Sequence, residues 1–291
     1  MNGVGAVARY TMLELSRRRI LLVFFLLGAV GLLIFGFGFR FLYSFASSGG
    51  LGSSSNLDPA TFDRLLQLQF LSYLYGALST FALLIGFGIG MTAIYHDLDS
   101  GAAVSLLSKP ITRFAFALGK IVAAIGSLVL IVGVLALEAR LVMLLFPGGL
   151  ESSLTGQVIA TTANTVVVML IVLALSTWMN NIVAAIVAFV YYNVITGVIT
   201  TVHMFFDSGA FHNDLVKTVF DVLYWTVPHA LVSSAPGDLV RAQLQIENQS
   251  GNTTTFAFVP SASGGGDIAW WAFMVVVFSG LVYLAVRRRQ V

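Results

Sequence analysis

Six stretches of this chain stay apolar for the length of a membrane crossing, and that constraint decides most of what it can fold into. Crossing about 30 Å of hydrocarbon takes roughly 20 helical residues. Ile20–Phe39, Phe70–Ile94, Ile121–Phe146, Val158–Met179, Ile182–Val202 and Ile268–Val286 all reach that length. Composition agrees, with 58% hydrophobic and 10% charged residues, where a soluble domain carries about 25% charged. Within hydrocarbon each backbone group must be satisfied inside its own segment, which makes helices the natural crossing elements. The expected fold is therefore an all-α integral membrane protein, one transmembrane domain over 1–291 with spans at 20–39, 70–94, 121–146, 158–179, 182–202 and 268–286. The first run is long for a signal-peptide core and no small-residue cleavage site follows it, so it reads as a retained span.

An even number of spans puts both termini on one side, and the basic residues indicate which. With the termini in the cytoplasm, Arg9, Arg17, Arg18, Arg19, Lys109, Arg113, Lys120, Arg287, Arg288 and Arg289 are inside. Arg40, Arg64, Lys217 and Arg241 are then outside, and Arg140 falls within a span. This is the positive-inside bias, and it predicts a multi-pass protein of the cell membrane with both termini cytoplasmic. The formal net charge of +2 is too small to point to nucleic acid. The absence of cysteine removes disulfides, thiolate metal sites and cysteine nucleophiles.

Residues 1–19 are expected to form an interfacial helix. Val4, Ala8, Met12 and Leu15 fall on one helical face, while Arg9, Glu14 and Arg17 project elsewhere. On the outside, Ser44–Asp58 is rich in serine and glycine, as a loop would be. In the external region 203–267, Asn213–Val227 predicts an amphipathic helix: Val216, Val219, Phe220, Leu223 and Val227 share a face, Lys217 and Asp221 sit four apart on another, and Pro228 closes the run. A second short helix is expected from Ser234, with Gln245–Asp267 irregular.

Between the second and third runs lies a charged island, His96–Lys120, within the loop 95–120. Asp97, Asp99, Lys109, Arg113 and Lys120 make it too polar to be buried in lipid. The two acids suit the positive end of a short helix through Ala102–Ser108, and Pro110 stops that helix from continuing. Ala103, Leu106 and Leu107 then form an apolar knob on a polar element, a shape that calls for a partner groove.

These residues carry a family resemblance. Acid-x-acid-x-Gly, then Leu-Leu-Ser-x-Pro-x-Thr-Arg, then Gly-Lys is similar to the first cytoplasmic loop of type-2 ABC exporter permeases. Here the pattern falls on Asp97, Asp99, Gly101, Leu106, Leu107, Ser108, Pro110, Thr112, Arg113, Gly119 and Lys120. The six-span layout, the interfacial leader and the external helices before the last span resemble that family too. In it, this loop is a cytoplasmic coupling helix that docks on an ATPase subunit. Ala102 stands where the family often has Thr, and Asp replaces the more usual Glu in the acidic pair. The resemblance implies coupling roles for Asp97, Asp99, Gly101, Ala103, Leu106, Leu107, Pro110, Arg113, Gly119 and Lys120. It also implies two copies of an ATPase partner and a second permease copy, identical or homologous.

No phosphate-cradling G-x-x-x-x-G-K-[ST] loop occurs, because Gly119-Lys120 lacks both the earlier glycine and the following hydroxyl. The chain is therefore expected to have no ATPase or other catalytic site and no cofactor of its own, with ATP and Mg bound by the partner. Within the spans, Tyr191, Tyr192 and Asn193 lie about midway along the fifth, where an amide wants a partner. They read either as pathway residues or as an interhelical packing contact, the latter being favoured. Glu138 and Arg140, two residues apart, point to different faces and read as anchors near the outer boundary. Gly86, Gly88 and Gly90, with Gly28 and Gly31, read as close-packing positions. His203, Met204, Met143 and His212 specify no metal geometry and read as lone surface residues.

The function expected is that of the membrane permease of an ATP-driven exporter or flippase. The apolar spans favour a lipid-like, drug-like or amphipathic substrate. The alternatives are an ABC-type subunit that transmits ATPase motion to an external partner, and an ion-gradient-driven secondary transporter. The scarcity of ionisable residues within the spans weighs against the latter.

Overall fold

The computed structural model describes residues 3–45, 59–95, 112–144, 152–207, 214–249 and 259–288. Among them every regular element is helical. A short α1 (Gly3–Ser16) turns at Arg17 and Arg18 into α2 (Arg19–Phe45). Then come α3 (Pro59–Thr92), α4 (Arg113–Met143) and α5 (Ser152–Ser176). The fifth crossing is composite: α6 (Asn181–Val190), a π-helical turn Tyr191–Thr196, and α7 (Gly197–Asp207). Two helices, α8 (Asp214–Thr226) and α9 (Ser234–Gln249), precede the last, α10 (Gly265–Arg288). Six helical segments are long and apolar enough to cross a membrane: Arg19–Phe45, Arg64–Thr92, Arg113–Met143, Leu154–Ser176, Asn181–Phe206 and Gly265–Arg288. The protein is a multi-pass, all-α membrane protein.

Local chemistry sets the helix starts. Pro59 occupies the first position of α3, where its missing N–H costs nothing. Thr112 caps α4 by accepting from the Ala115 N–H at 3.1 Å, and Asn180 caps α6 by accepting from the Ile182 N–H at 3.0 Å. At α10 the Asp267 carboxylate reaches back to accept the Gly264 N–H at 2.7 Å, the carboxylate half of a capping box.

Lipid is as apolar as leucine, so helices in a bilayer associate through close contact. The central element is α5, packed against α3, α4, α6, α9 and α10. It meets α3 most intimately where Gly86 lies on Thr165 and Gly90 on Val172. A Cβ at Gly90 would fall 2.9 Å from the Met169 carbonyl oxygen. The glycines of α3 thus do what close packing requires, and Gly28 and Gly31 of α2 likewise seat the Phe81 ring. One core gathers residues from α2, α3, α4, α5 and α9, and a smaller one joins α3, α5 and α6 around Phe87, Val168 and Ala188. The outer faces of α2 and α6 stay unpacked and apolar, with Leu26, Ile34, Ile186 and Val190 exposed.

In two helices the buried line does not coincide with the apolar face that the sequence marks. On α1 the buried line is Val7, Thr11 and Leu15, with Met12 exposed rather than central, because Gly119 of α4 accepts the Val7 side of the helix. On α8 Val219 and Leu223 are exposed and Tyr224 is the buried centre. Asp221 of this helix pairs with His203 rather than with Lys217 four residues earlier. The helix starting at Ser234 also runs on to Gln249, past the point where irregular chain was expected.

Candidate functional site

Asp97, Asp99, Gly101, Ala103, Leu106, Leu107 and Pro110 lie outside the described residues. What is described is the point where the chain leaves that island and enters α4. Arg113, in the first turn, donates to the Arg287 carbonyl at 2.8 Å and so ties the start of α4 to the end of α10. Behind it Phe116 and Ala117 are buried with Val7 and Val286, and Phe114 meets the Tyr283 ring edge-on at 5.6 Å. Three elements, α1, α4 and α10, therefore close on one another at this end of the bundle.

Gly119 and Lys120 form the centre of that closure. A Cβ on Gly119 would lie 2.7 Å from Val7 Cβ and 3.0 Å from the Val4 carbonyl oxygen, so only glycine admits α1 at this depth. Lys120 is fully buried, its Nζ 3.3 Å from Glu14 Oε2 and 5.9 Å from the centres of the Tyr10 and Phe116 rings. Glu14 shares its other oxygen with Arg18. Burial pushes the Glu14 carboxyl up, but Lys120 and Arg18 together outweigh it and hold the group below its ordinary value. The Gly-Lys pair thus fastens the leader helix to a span. Its partner Glu14 carries one sequence signal: it is the one acid in a leader otherwise charged with arginines.

Tyr191, Tyr192 and Asn193 sit elsewhere, in the π-helical turn of the fifth crossing. Widened turns of this kind leave carbonyls short of partners and often mark functional positions. Asn193 is exposed, and its amide donates to the Phe189 carbonyl of its own helix at 3.0 Å, so among the described residues it makes no interhelical bond. Tyr191 and Tyr192 pack against the α3–α5–α6 core. Tyr192 also lines a polar cleft of about 210 Å³ with Ser79, Thr161, Asn164 and Ser233. Its polar walls are already engaged: Ser79 with Thr161 at 3.0 Å, Ser233 donating to Gln157 at 2.6 Å, and Asn164 bonded both ways to the Leu231 backbone at 2.7 and 2.8 Å. Glu138 has a buried carboxylate oxygen with no hydrogen-bond partner among the described residues.

At the end of the bundle opposite α1, a cluster with no sequence signal holds the α8–α9 cap. The Tyr224 ring lies between two imidazoles, 3.9 Å from His203 and 3.8 Å from His229, each tilted by 14°. Tyr224 donates its hydroxyl to Asp267 at 3.0 Å, and Asp221 stands 3.2 Å from His203. His203 is thus part of a built cluster rather than a lone surface histidine. His229 Nδ1 lies 3.0 Å from the Tyr224 carbonyl. Its Nε2 is 3.3 Å from Asp267, near enough for an ion pair though not aligned as a hydrogen bond. Desolvation holds the His229 imidazole below its ordinary value, against the opposing pull of the Tyr224 carbonyl and Asp267. Val232 and Ser263 exchange two bonds at 2.9 Å, which ties the segment after α8 to the one before α10, and Trp271 of α10 donates to the Ala163 carbonyl of α5 at 2.8 Å. Among the described residues no group of three or more His, Asp or Glu side chains is gathered as a metal site.

Comparison with protein-family models and with curated proteins finds no match for this chain.

Proposed function

We propose that this protein is the permease subunit of an ATP-driven exporter of the type-2 ABC class, moving or flipping a lipid-like, drug-like or amphipathic substrate. ATP and Mg are handled by two copies of a separate ATPase chain, and a second permease copy completes the transmembrane unit. The observation that carries the reading is the sequence of the island between the second and third crossings, in which Asp97 and Asp99 are followed by Ala103, Leu106, Leu107 and Pro110 in a pattern that resembles the coupling loop of that class, shortly before α4 begins at Arg113. Its fit to the geometry lies at the entry of α4. Arg113 grips α10 and Lys120 grips α1, so a displacement of the island would reach three helices at once. In this reading the α1 end is cytoplasmic, as the clustering of Arg17, Arg18, Arg19, Arg113, Arg287 and Arg288 there supports.

A second reading has one observation in its favour. The α8–α9 cap is bonded to α5 through Asn164 and to α10 through Asp267, which suits transmission of motion to an external partner. Both readings place the ATPase at the island. Co-expression with candidate ATPase chains, followed by pull-down of wild type and Leu106→Asp/Leu107→Asp at matched membrane levels, tests that shared step. Each buried leucine contributes about 1.5–3 kcal/mol, and a carboxylate in its groove adds a desolvation penalty. The expected result is loss of association by orders of magnitude with membrane insertion intact. Undiminished association would place the docking surface elsewhere.

A further inference from the structure

A groove of about 400 Å³ opens between α1, α2 and α4, separate from the polar cleft and from the α4 entry. Leu13, Leu22, Phe25, Leu130 and Val134 line it, and among the described residues Ser16 and Ser127 supply its lining hydroxyls. Leu22 and Leu130 are about half and two-thirds exposed, so the groove stands open on the lipid-facing side of two spans. Where α1 turns into α2, its mouth is basic. Arg17 is the turn residue directly after groove-lining Ser16, and Arg19, the first residue of α2, precedes groove-lining Leu21 and Leu22 by two and three positions. Arg18 is engaged by Glu14, whereas Arg17 and Arg19 are exposed and form no ion pair among the described residues.

We infer that this groove binds an anionic phospholipid, an acyl chain lying along Leu22, Phe25 and Leu130 and the phosphate meeting Arg17 and Arg19. The commitment to an anionic headgroup rests on charge complementarity. A zwitterionic lipid fills the apolar part equally well but brings no net charge to two exposed guanidinium groups. Guanidinium matches phosphate oxygens in a bidentate fork, and basic positions at the polar boundary of a span draw anionic headgroups. The bound lipid would brace α1 against α2, two helices that otherwise touch each other sparingly. The inference does not depend on the transport reading, since it uses only this chain and the bilayer.

The test is native mass spectrometry of the full chain in detergent, titrated with phosphatidylglycerol and phosphatidylcholine of matched acyl chains. Phosphatidylglycerol is expected to bind at least tenfold tighter. Arg17→Gln/Arg19→Gln is expected to lower its affinity roughly 25-fold, about fivefold per charge, with phosphatidylcholine unchanged and with Arg17→Lys/Arg19→Lys retaining most of the preference. Ser127→Phe, which fills the groove, is expected to weaken both lipids, and glycerol phosphate is expected to displace neither. Equal affinity for the two lipids, a preference that survives the Gln variant, or unaltered binding in Ser127→Phe would overturn the assignment. Displacement by glycerol phosphate would overturn it in favour of a free-anion site, and dimerisation through the groove without lipid in favour of a protein contact.

Discussion

Lys120 is buried completely and Glu14 only in part, which makes the two ends of their ion pair unequal. Replacing Glu14 by Gln takes a carboxylate partner from a buried ammonium, and truncating one side of a buried pair costs up to about 3–5 kcal/mol. Lys120→Met is expected to cost less, because Glu14 keeps Arg18 and a similar-sized apolar side chain fills the space. Thermal unfolding of the detergent-solubilised protein gives the order, and the reverse order would mean that the lysine is not the buried member. The same pair sets a pH response. Since the folded Glu14 value is lowered, its contribution is complete above the ordinary carboxylate range and is lost as pH falls through the folded value. Glu14→Gln is expected to flatten that acid limb.

At the scale of the elements, the α8–α9 cap is the part whose stability follows pH near neutrality. His229 is held in its neutral form by burial, with a folded value below the unfolded one. Between those two values the unfolded chain binds more protons than the folded one, so stability rises with pH across the window and declines below about 6.5. The protection of α8 and of the 227–233 segment, taken relative to the intrinsic amide exchange rate at each pH, is expected to fall from pH 7.5 to pH 5.5 while that of α5 does not. Equal protection at both values would mean that His229 protonates without cost. Part of this element scale was legible beforehand, since the glycines of α3 read as close-packing positions from the sequence. The caps at Thr112, Asn180 and Pro59 were not read there, although each acts within a turn of its own position. The Tyr224 sandwich was not legible, because His203, Tyr224, His229 and Asp267 come from three helices and a loop and share no sequence period.

For the whole molecule, the arrangement of ends is the strongest constraint on function. Arg113 reaches Arg287, and α1 lies on the first turns of α4, so the start of α1, the entry of α4 and the exit of α10 share one end of the bundle. The positive-inside bias predicts that this end is cytoplasmic. The chain has no cysteine, so single cysteines at Ser105 and Ser54 can be compared in intact cells with an impermeant thiol reagent. Labelling at position 54 and not at 105 is expected, and the opposite pattern would invert the topology and remove the island from any cytosolic ATPase.

The sequence by itself determined that this chain makes six membrane-length helices with an even return of its ends, because hydrocarbon leaves no other way to satisfy a long apolar backbone and twenty residues is a length that can be counted. It also marked the island, since five charged residues between two apolar runs cannot enter lipid. Tertiary structure alone decided what the basic and polar positions at the ends would do. Lys120 turned inward to Glu14, Asn193 turned back to its own Phe189 carbonyl, and Asp221 chose His203 over Lys217. The reason is physical: the apolar pattern is enforced one residue at a time by the solvent, whereas an ionic or amide partner is chosen by which helices meet at a given depth, and only packing fixes that.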